Sequence, residues 1–134
     1  MKRYTSLVAA GLMLAAFAPL QTRAADNTWN NGSTDFLWNT TSLNWASPTT
    51  WVGNDNAIFG ATGAGTVSLS VPITAHSLTF NAGGYVIQGA GNTLTLSGTT
   101  PTIPSITANA SVTNATTLEG TDGLTIQGTG TLLL

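Results

Sequence analysis

Residues 66–80 read Thr66-Val67-Ser68-Leu69-Ser70-Val71-Pro72-Ile73-Thr74-Ala75-His76-Ser77-Leu78-Thr79-Phe80. Val67, Leu69, Val71 and Ile73 alternate with Ser68, Ser70, Pro72 and Thr74, and Leu78 and Phe80 alternate with Ser77 and Thr79. A period of two sends one set of side chains to a buried face and the other to solvent, the pattern of a half-buried strand. The pattern continues downstream in short pieces. Gly83-Gly84 turns the chain before Tyr85 and Ile87, and Gly89 and Gly91 turn it again before Leu94 and Leu96. Ile103, Ile106 and Val112 are more loosely spaced. Leu118 precedes the turn Gly120-Thr121-Asp122-Gly123, Leu124 and Ile126 share a face, and Gly128 and Gly130 precede Leu132 and Leu134. Thr favours strands, Gly and Asn favour turns, and the three oppose a helix. The reading is an all-β protein.

Strands this short bury little alone, so their spacing decides the architecture. Ile87, Ile106 and Ile126 recur at about 20 residues, and Leu69 to Ile87 and Leu78 to Leu96 at about 18. A recurrence of that length is typical of solenoids, in which each coil buries its apolar face only against its neighbours. The expectation is a β-solenoid in which these positions stack in a shared interior column. The alternative is an antiparallel β-sandwich, which also shows short strands at regular spacing. The likeness of Thr93-Leu94-Thr95-Leu96 to Thr129-Gly130-Thr131-Leu132 favours repetition.

Upstream the composition changes. Residues 25–65 hold all four tryptophans, Trp29, Trp38, Trp45 and Trp51, among Asn, Thr and Ser. An open solenoid end exposes apolar interior and unpaired strand edges, so an N-terminal cap is the reading preferred for these rings. As an alternative, the four are candidate glycan-binding residues, because flat aromatic faces stack on sugars. Residues 1–24 begin with Lys2-Arg3, continue through an apolar run from Leu7 to Phe17, and reach Pro19 and Thr22-Arg23-Ala24. That order is a secretory signal peptide with cleavage expected after Ala24, and its apolar run is short of the ~20 residues that span a bilayer. The division expected is therefore a signal peptide at 1–24, a Trp-rich cap at 25–65, and coils at 66–134 that look truncated at the C-terminus.

Charge excludes several functions. The only cations are Lys2, Arg3 and Arg23, so removal of the leader leaves five carboxylates and no Lys or Arg. Such a chain cannot neutralise phosphates, and neither nucleic acid nor an anionic membrane surface is an expected partner. With no Cys there is no disulfide, thiolate metal site or Cys nucleophile. His76 is the single histidine and is expected in a solvent-facing turn; no Gly-x-Ser-x-Gly elbow accompanies it. Asp35, Asp55, Glu119 and Asp122 are the carboxylate candidates for glycoside hydrolysis besides Asp26; Asp55 reads as a turn or cap residue, and Glu119 and Asp122 flank one solvated turn. Gly60–Gly65 lacks the Gly-Lys-Ser/Thr of a phosphate loop, and there is no Asp-x-Asp calcium loop. No catalytic residue, metal or cofactor is expected.

Gly120-Thr121-Asp122-Gly123-Leu124-Thr125-Ile126-Gln127-Gly128-Thr129-Gly130-Thr131-Leu132 resembles the repeat core of bacterial proteins with autotransporter-associated β-strand repeats, also called passenger-associated transport repeats. Asn44-Trp45 followed by Asp55-Asn56-Ala57-Ile58-Phe59, then Ser77-Leu78-Thr79-Phe80 and Gly84-Tyr85, is similar to the usual entry to such proteins. The resemblance covers nearly all of residues 27–134. It implies a right-handed parallel β-helix in a long secreted or surface-exposed passenger, non-catalytic and structural, with adhesion to surface glycans as the alternative. It also implies a missing C-terminal part of the parent chain, and self-association is expected through an exposed last coil.

Overall fold

The computed structural model describes residues 23–46, 48–98 and 102–134, so most of the expected leader lies outside the described residues. Eleven strands follow: β1 (Asp26–Trp29), β2 (Leu37–Trp38), β3 (Asn56–Phe59), β4 (Thr66–Leu69), β5 (Ile73–Ala75), β6 (Ser77–Phe80), β7 (Val86–Leu96), β8 (Ser105–Ala108), β9 (Val112–Glu119), β10 (Thr125–Gln127) and β11 (Leu132–Leu133). No helix occurs among the described residues. Every pairing between these strands is parallel. The antiparallel sandwich is thereby overturned and the solenoid holds, with about three turns.

Each full turn has three faces. The first face stacks β1, β3, β6, β8 and β10 in that order. The second stacks β2, β4, the start of β7, the start of β9, and β11. The third stacks β5 on the end of β7 and the end of β7 on the end of β9. β7 thus serves two faces, and it bends between them where its register against β9 shifts, between Gln88 and Thr93. Gly89-Ala90-Gly91 makes that corner. Ala90 and Gly91 both have positive φ, 47° and 92°, and a side chain at Gly89 would run into the Asn92 carbonyl. Glycine carries such a corner without a Cβ penalty.

The alternation found in the sequence becomes radial position. On the first face, Ala57, Leu78, Ile106 and Ile126 form one inward column, and Trp29, Phe59, Phe80 and Ala108 form the other. Phe59 and Phe80 lie nearly parallel, with ring centroids 4.8 Å apart. On the third face Ile73, Leu94 and Leu118 stack, and Ala75 sits over Leu96. All of these are buried except Leu118, which is half-buried, and Ile126, which lies on the last rung.

The columns differ from the spacing-based expectation. Ile106 and Ile126 do stack, but Ile87 belongs to the second face, between Val67 and Asn114. Leu69 sits over Trp38, and Leu78 and Leu96 are on different faces. The reason is unequal coil length: first-face partners Asn56, Ser77, Ser105 and Thr125 are 21, 28 and 20 residues apart. Val71, expected inward, is 37% exposed because the corner between β4 and β5 interrupts the alternation there.

The two ends differ. At the far end Leu124, Ile126, Leu133 and Leu134 are 40–65% exposed, and β10 and β11 each have one unpaired edge. The near end is covered, as described below. Because the column through Phe80 is dry and continuous, truncating it leaves a cavity. Phe80→Ala is expected to lower stability by about 3–5 kcal/mol, and Val71→Thr at the exposed corner by no more than about 0.5 kcal/mol. Chemical denaturation followed by tryptophan fluorescence measures both.

Candidate functional site

The tryptophan zone is where the sequence concentrates unusual chemistry. β1 begins the solenoid at Asp26, inside the stretch read as a separate cap, so Trp29 already occupies the inward column above Phe59. The chain then leaves β2 for a long excursion that brings back Trp45 and Trp51. Trp45 forms an antiparallel bridge to Trp29, with the Asn30 N–H donating to the Asn44 carbonyl (2.9 Å) and the Ala46 N–H to the Thr28 carbonyl (2.7 Å). These bonds cover the outer edge of β1, which would otherwise be an unpaired strand edge.

All four indoles are buried: Trp29, Trp38 and Trp45 fully, and Trp51 to within 3%. They pack mainly edge to face. Trp29–Trp45, Trp38–Trp45 and Trp38–Trp51 centroids are 5.0–5.3 Å apart at 61–81°, and Phe59 lies against Trp29, Trp38 and Trp45. That arrangement sets ring edges against π faces. The Trp29 and Trp51 N–H groups donate to the Gly63 and Thr74 carbonyls at 2.9 and 3.1 Å. The Trp38 and Trp45 N–H groups have no hydrogen-bond partner, a cost set against the large apolar area they bury. A sugar platform needs at least two coplanar exposed rings, and these four do not form one. Trp29, Trp38, Trp45 and Trp51, the candidate glycan-binding residues, are interior.

Asparagines hold the excursion, a role that the apolar spacing does not reveal. Asn44 is fully buried. Its Oδ1 accepts from the Ser33 N–H (2.8 Å), and its Nδ2 donates to the Leu37 carbonyl (2.9 Å) and to Asp35 Oδ1. Asn39 Oδ1 accepts from the Thr41 and Ser42 N–H groups, and Asn31 Oδ1 from that of Phe36. Short amide side chains that bond nearby backbone replace the ladder bonds an irregular segment lacks. The density of Asn between Asp26 and Asn56 is the signal in the sequence for this role. Burial pulls the Asp35 carboxyl upward, but donation from the Leu37 N–H, Asn44 and Ser42 outweighs it, and the group is held below the usual carboxylate range.

The remaining candidates are dispersed. His76 is half-buried rather than solvent-facing; its Nδ1 lies 3.0 Å from the Ser97 carbonyl, which fixes that nitrogen as the N–H donor. Asp55 accepts from the Ala25 N–H and from Asn27 Nδ2, and Asp122 from the Gly98 N–H. Glu119 and Asp122 border an open cleft of about 430 Å³ with Thr95, Leu96, Ser97, Gly120 and Thr121. A second cleft of about 280 Å³, at the exposed end of the third face, is lined by Leu96, Leu118, Glu119, Gly120, Gly123 and Leu124. Among the described residues, no three His, Asp or Glu side chains gather in a way that could hold a metal.

Tyr85 is buried beside Phe59 and places its hydroxyl 2.7 and 2.8 Å from the Gly60 and Thr62 carbonyls. It pins the corner loop between β3 and β4 to the core. Burial pushes its pKa up to about 12.

The sequence is similar to that of the "Adhesin BmaC autotransporter" of Brucella suis biovar 1 (strain 1330), with 39% identity over 127 residues. The match takes in 83% of this chain and 4% of that protein, so the chain spans a small fraction of the relative. No family model matches the chain, and no solved structure matches it.

Two outcomes are expected. Trp45→Ala and Trp38→Ala each cost about 3–5 kcal/mol, so thermal melts of the variants show lost folding before any loss of a surface function. Tyr85 has an ordinary pKa of 10.0 and about 12 when folded, so the unfolded chain loses its proton first as pH rises. Stability should therefore be fully present below pH ~10 and decline between pH ~10 and ~12. Tyr85→Phe should lose about 1 kcal/mol at neutral pH and remove that alkaline decline in pH-dependent denaturation.

Proposed function

We propose that this chain is an exported, non-catalytic structural element: the N-terminal coils of a surface-exposed β-solenoid passenger of the autotransporter-associated repeat kind. The carrying observation is the all-parallel ladder of stacked rungs, whose first strand is covered by the bridge from Trp29 to Trp45. Rungs that bury their apolar faces only against their neighbours suit a rod assembled coil by coil. Similarity to an adhesin autotransporter supports the same reading. So do the leader pattern at residues 1–24 and the lack of cations after it, which together favour an extracytoplasmic chain without nucleic-acid partners.

In this reading the coils work mechanically. Backbone N–H and C=O groups pair from rung to rung, the apolar columns keep water out, and the cap stops edge-to-edge association at one end. The chain extends its parent from the cell surface, and adhesive contacts belong to that parent. The test is surface display of the full chain, leader included, fused to an outer-membrane translocation domain. Intact cells should expose a chain that survives a protease dose which degrades the Phe80→Ala variant. Retention inside the cell, or a displayed wild type as sensitive as the variant, would overturn the proposal.

A further inference from the structure

We infer that leader removal creates an ionic latch: the new α-ammonium of Ala25 pairs with Asp55 and fastens the first strand to the second rung. This rests on the export reading and goes beyond it by assigning a role to the processed terminus. In the unprocessed chain the Ala25 amide N–H donates to Asp55 Oδ1 at 3.0 Å. The other carboxylate oxygen, Oδ2, accepts from Asn27 Nδ2 at 2.7 Å. The Ala25 carbonyl accepts from the Asn56 N–H at 2.8 Å, one residue before the β1–β3 register begins at Asp26 and Asn56. Ala25 is thus bonded to the ladder through its backbone, and it follows directly on the expected scissile bond.

The chemistry follows from the position. Hydrolysis breaks the bond between the Ala24 carbonyl carbon and the Ala25 nitrogen. The oxygen of water stays on Ala24 as part of a carboxylate, and the Ala25 nitrogen gains protons and leaves as an ammonium. Arg23 and Ala25, on either side of half-buried Ala24, are exposed. Among the described residues, cleavage removes a long hydrogen bond, from Asn56 Nδ2 to the Ala24 carbonyl at 3.5 Å. In exchange, the neutral donor facing Asp55 becomes a charged one while the carboxylate is already in place, and such charge-assisted bonds are the stronger kind.

The charge inventory makes the latch distinctive. Lys2, Arg3 and Arg23 all leave with the leader, so within residues 25–134 the Ala25 ammonium stands among five carboxylate side chains and no Lys or Arg. The titratable groups around it are few. Asp55 is its partner, the neighbouring Asp26 is engaged by Asn56 Nδ2 at 2.7 Å, and His76 meets Asp55 through the backbone, its N–H donating to the Asp55 carbonyl. The latch holds the outermost strand of the first face on one side, while the bridge through Trp45 holds it on the other.

The experiment starts from the full chain exported with its own leader. Intact mass and N-terminal sequencing should give Ala25 as the first residue; any other start sinks the inference. The exported protein is then compared with its α-amine-acetylated form, each with Asp55 and with Asp55→Asn. Removing Asp55 should lower the folding equilibrium constant about threefold more when the amine is free than when it is blocked. Equal losses in the two backgrounds would refute the latch while leaving the export reading intact. If Asp55→Asn fails to fold, NMR titration of the wild-type α-amine decides. Its pKa should stand above the ordinary range of about 7.7–8.0, and an ordinary value would rule out the pairing. The sign is that of a cation with a raised folded pKa, so the latch's contribution is present below pH ~8 and fades as pH rises through the folded value.

Discussion

Parallel stacking in register is the constraint on which everything else depends. A strand of three or four residues has too little apolar surface to stay ordered alone. Here each strand takes its order from the rung above and the rung below, through backbone bonds and through like side chains placed one over another. Trp29, Phe59, Phe80 and Ala108 show how this works. A single inward position, repeated rung after rung, becomes a continuous dry column that no one coil could form. The size of its members tapers from indole to phenyl to methyl, so the bulkiest groups lie at the covered end.

That end is the demanding one. A solenoid must stop, and where it stops it shows a strand edge and the mouth of its columns. The excursion between β2 and β3 answers both needs with one device. Its backbone bridges the edge of β1 at Trp29 and Trp45, and its indoles fill the mouth. Irregular backbone in such a segment has no ladder to satisfy it, which is why Asn31, Asn39 and Asn44 are buried there. The two indole N–H groups left without partners mark the limit of the device: the packing of four rings took precedence over the satisfaction of all four donors.

The fold class was legible because period-two alternation is local, and the strands read at Val67–Leu69, Leu78–Phe80, Tyr85–Ile87 and Leu94–Leu96 have buried inward residues at each of those named positions. The stacking register was only partly legible. Alternation says which way a side chain points but not on which of three faces it stands, so spacing groups Ile87 with Ile106 and Ile126 although its neighbours are Val67 and Asn114. The segment between β7 and β8 also lengthens one rung, which spoils any constant repeat. The cap could be argued from the need to cover an open end, yet the asparagine bonds that hold it depend on positive φ at Asn31 and on long turns that spacing does not encode. Asn114 is a polar residue within an inward column, paired locally with the Thr116 hydroxyl at 3.0 Å, and no periodic rule would have placed it there.

The scarcity of charge is itself a consequence of this geometry. Only 6% of residues are charged, and in an ordinary domain that would point to poor solvation. In a parallel ladder, though, an outward position lies directly over the same position of the next rung, about 4.8 Å away. Two like charges at that distance repel by about 1 kcal/mol even in water, and a repeated charge would meet this penalty at each rung. Neutral polar groups gain instead, because an amide or hydroxyl can donate to the copy beside it. The outward column through Asp26, Asn56 and Ser77 does so: Asn56 Nδ2 donates to Asp26, and the Ser77 hydroxyl donates to Asn56 Oδ1, each at 2.7 Å. Gln88 bonds Ser68, Asn109 bonds Asn81, and Gln127 bonds Thr107 in the same way on other rungs. Ser, Thr, Asn and Gln are therefore what a stacked surface selects when its neighbours are near copies of itself, and the composition records the fold as faithfully as the apolar pattern does.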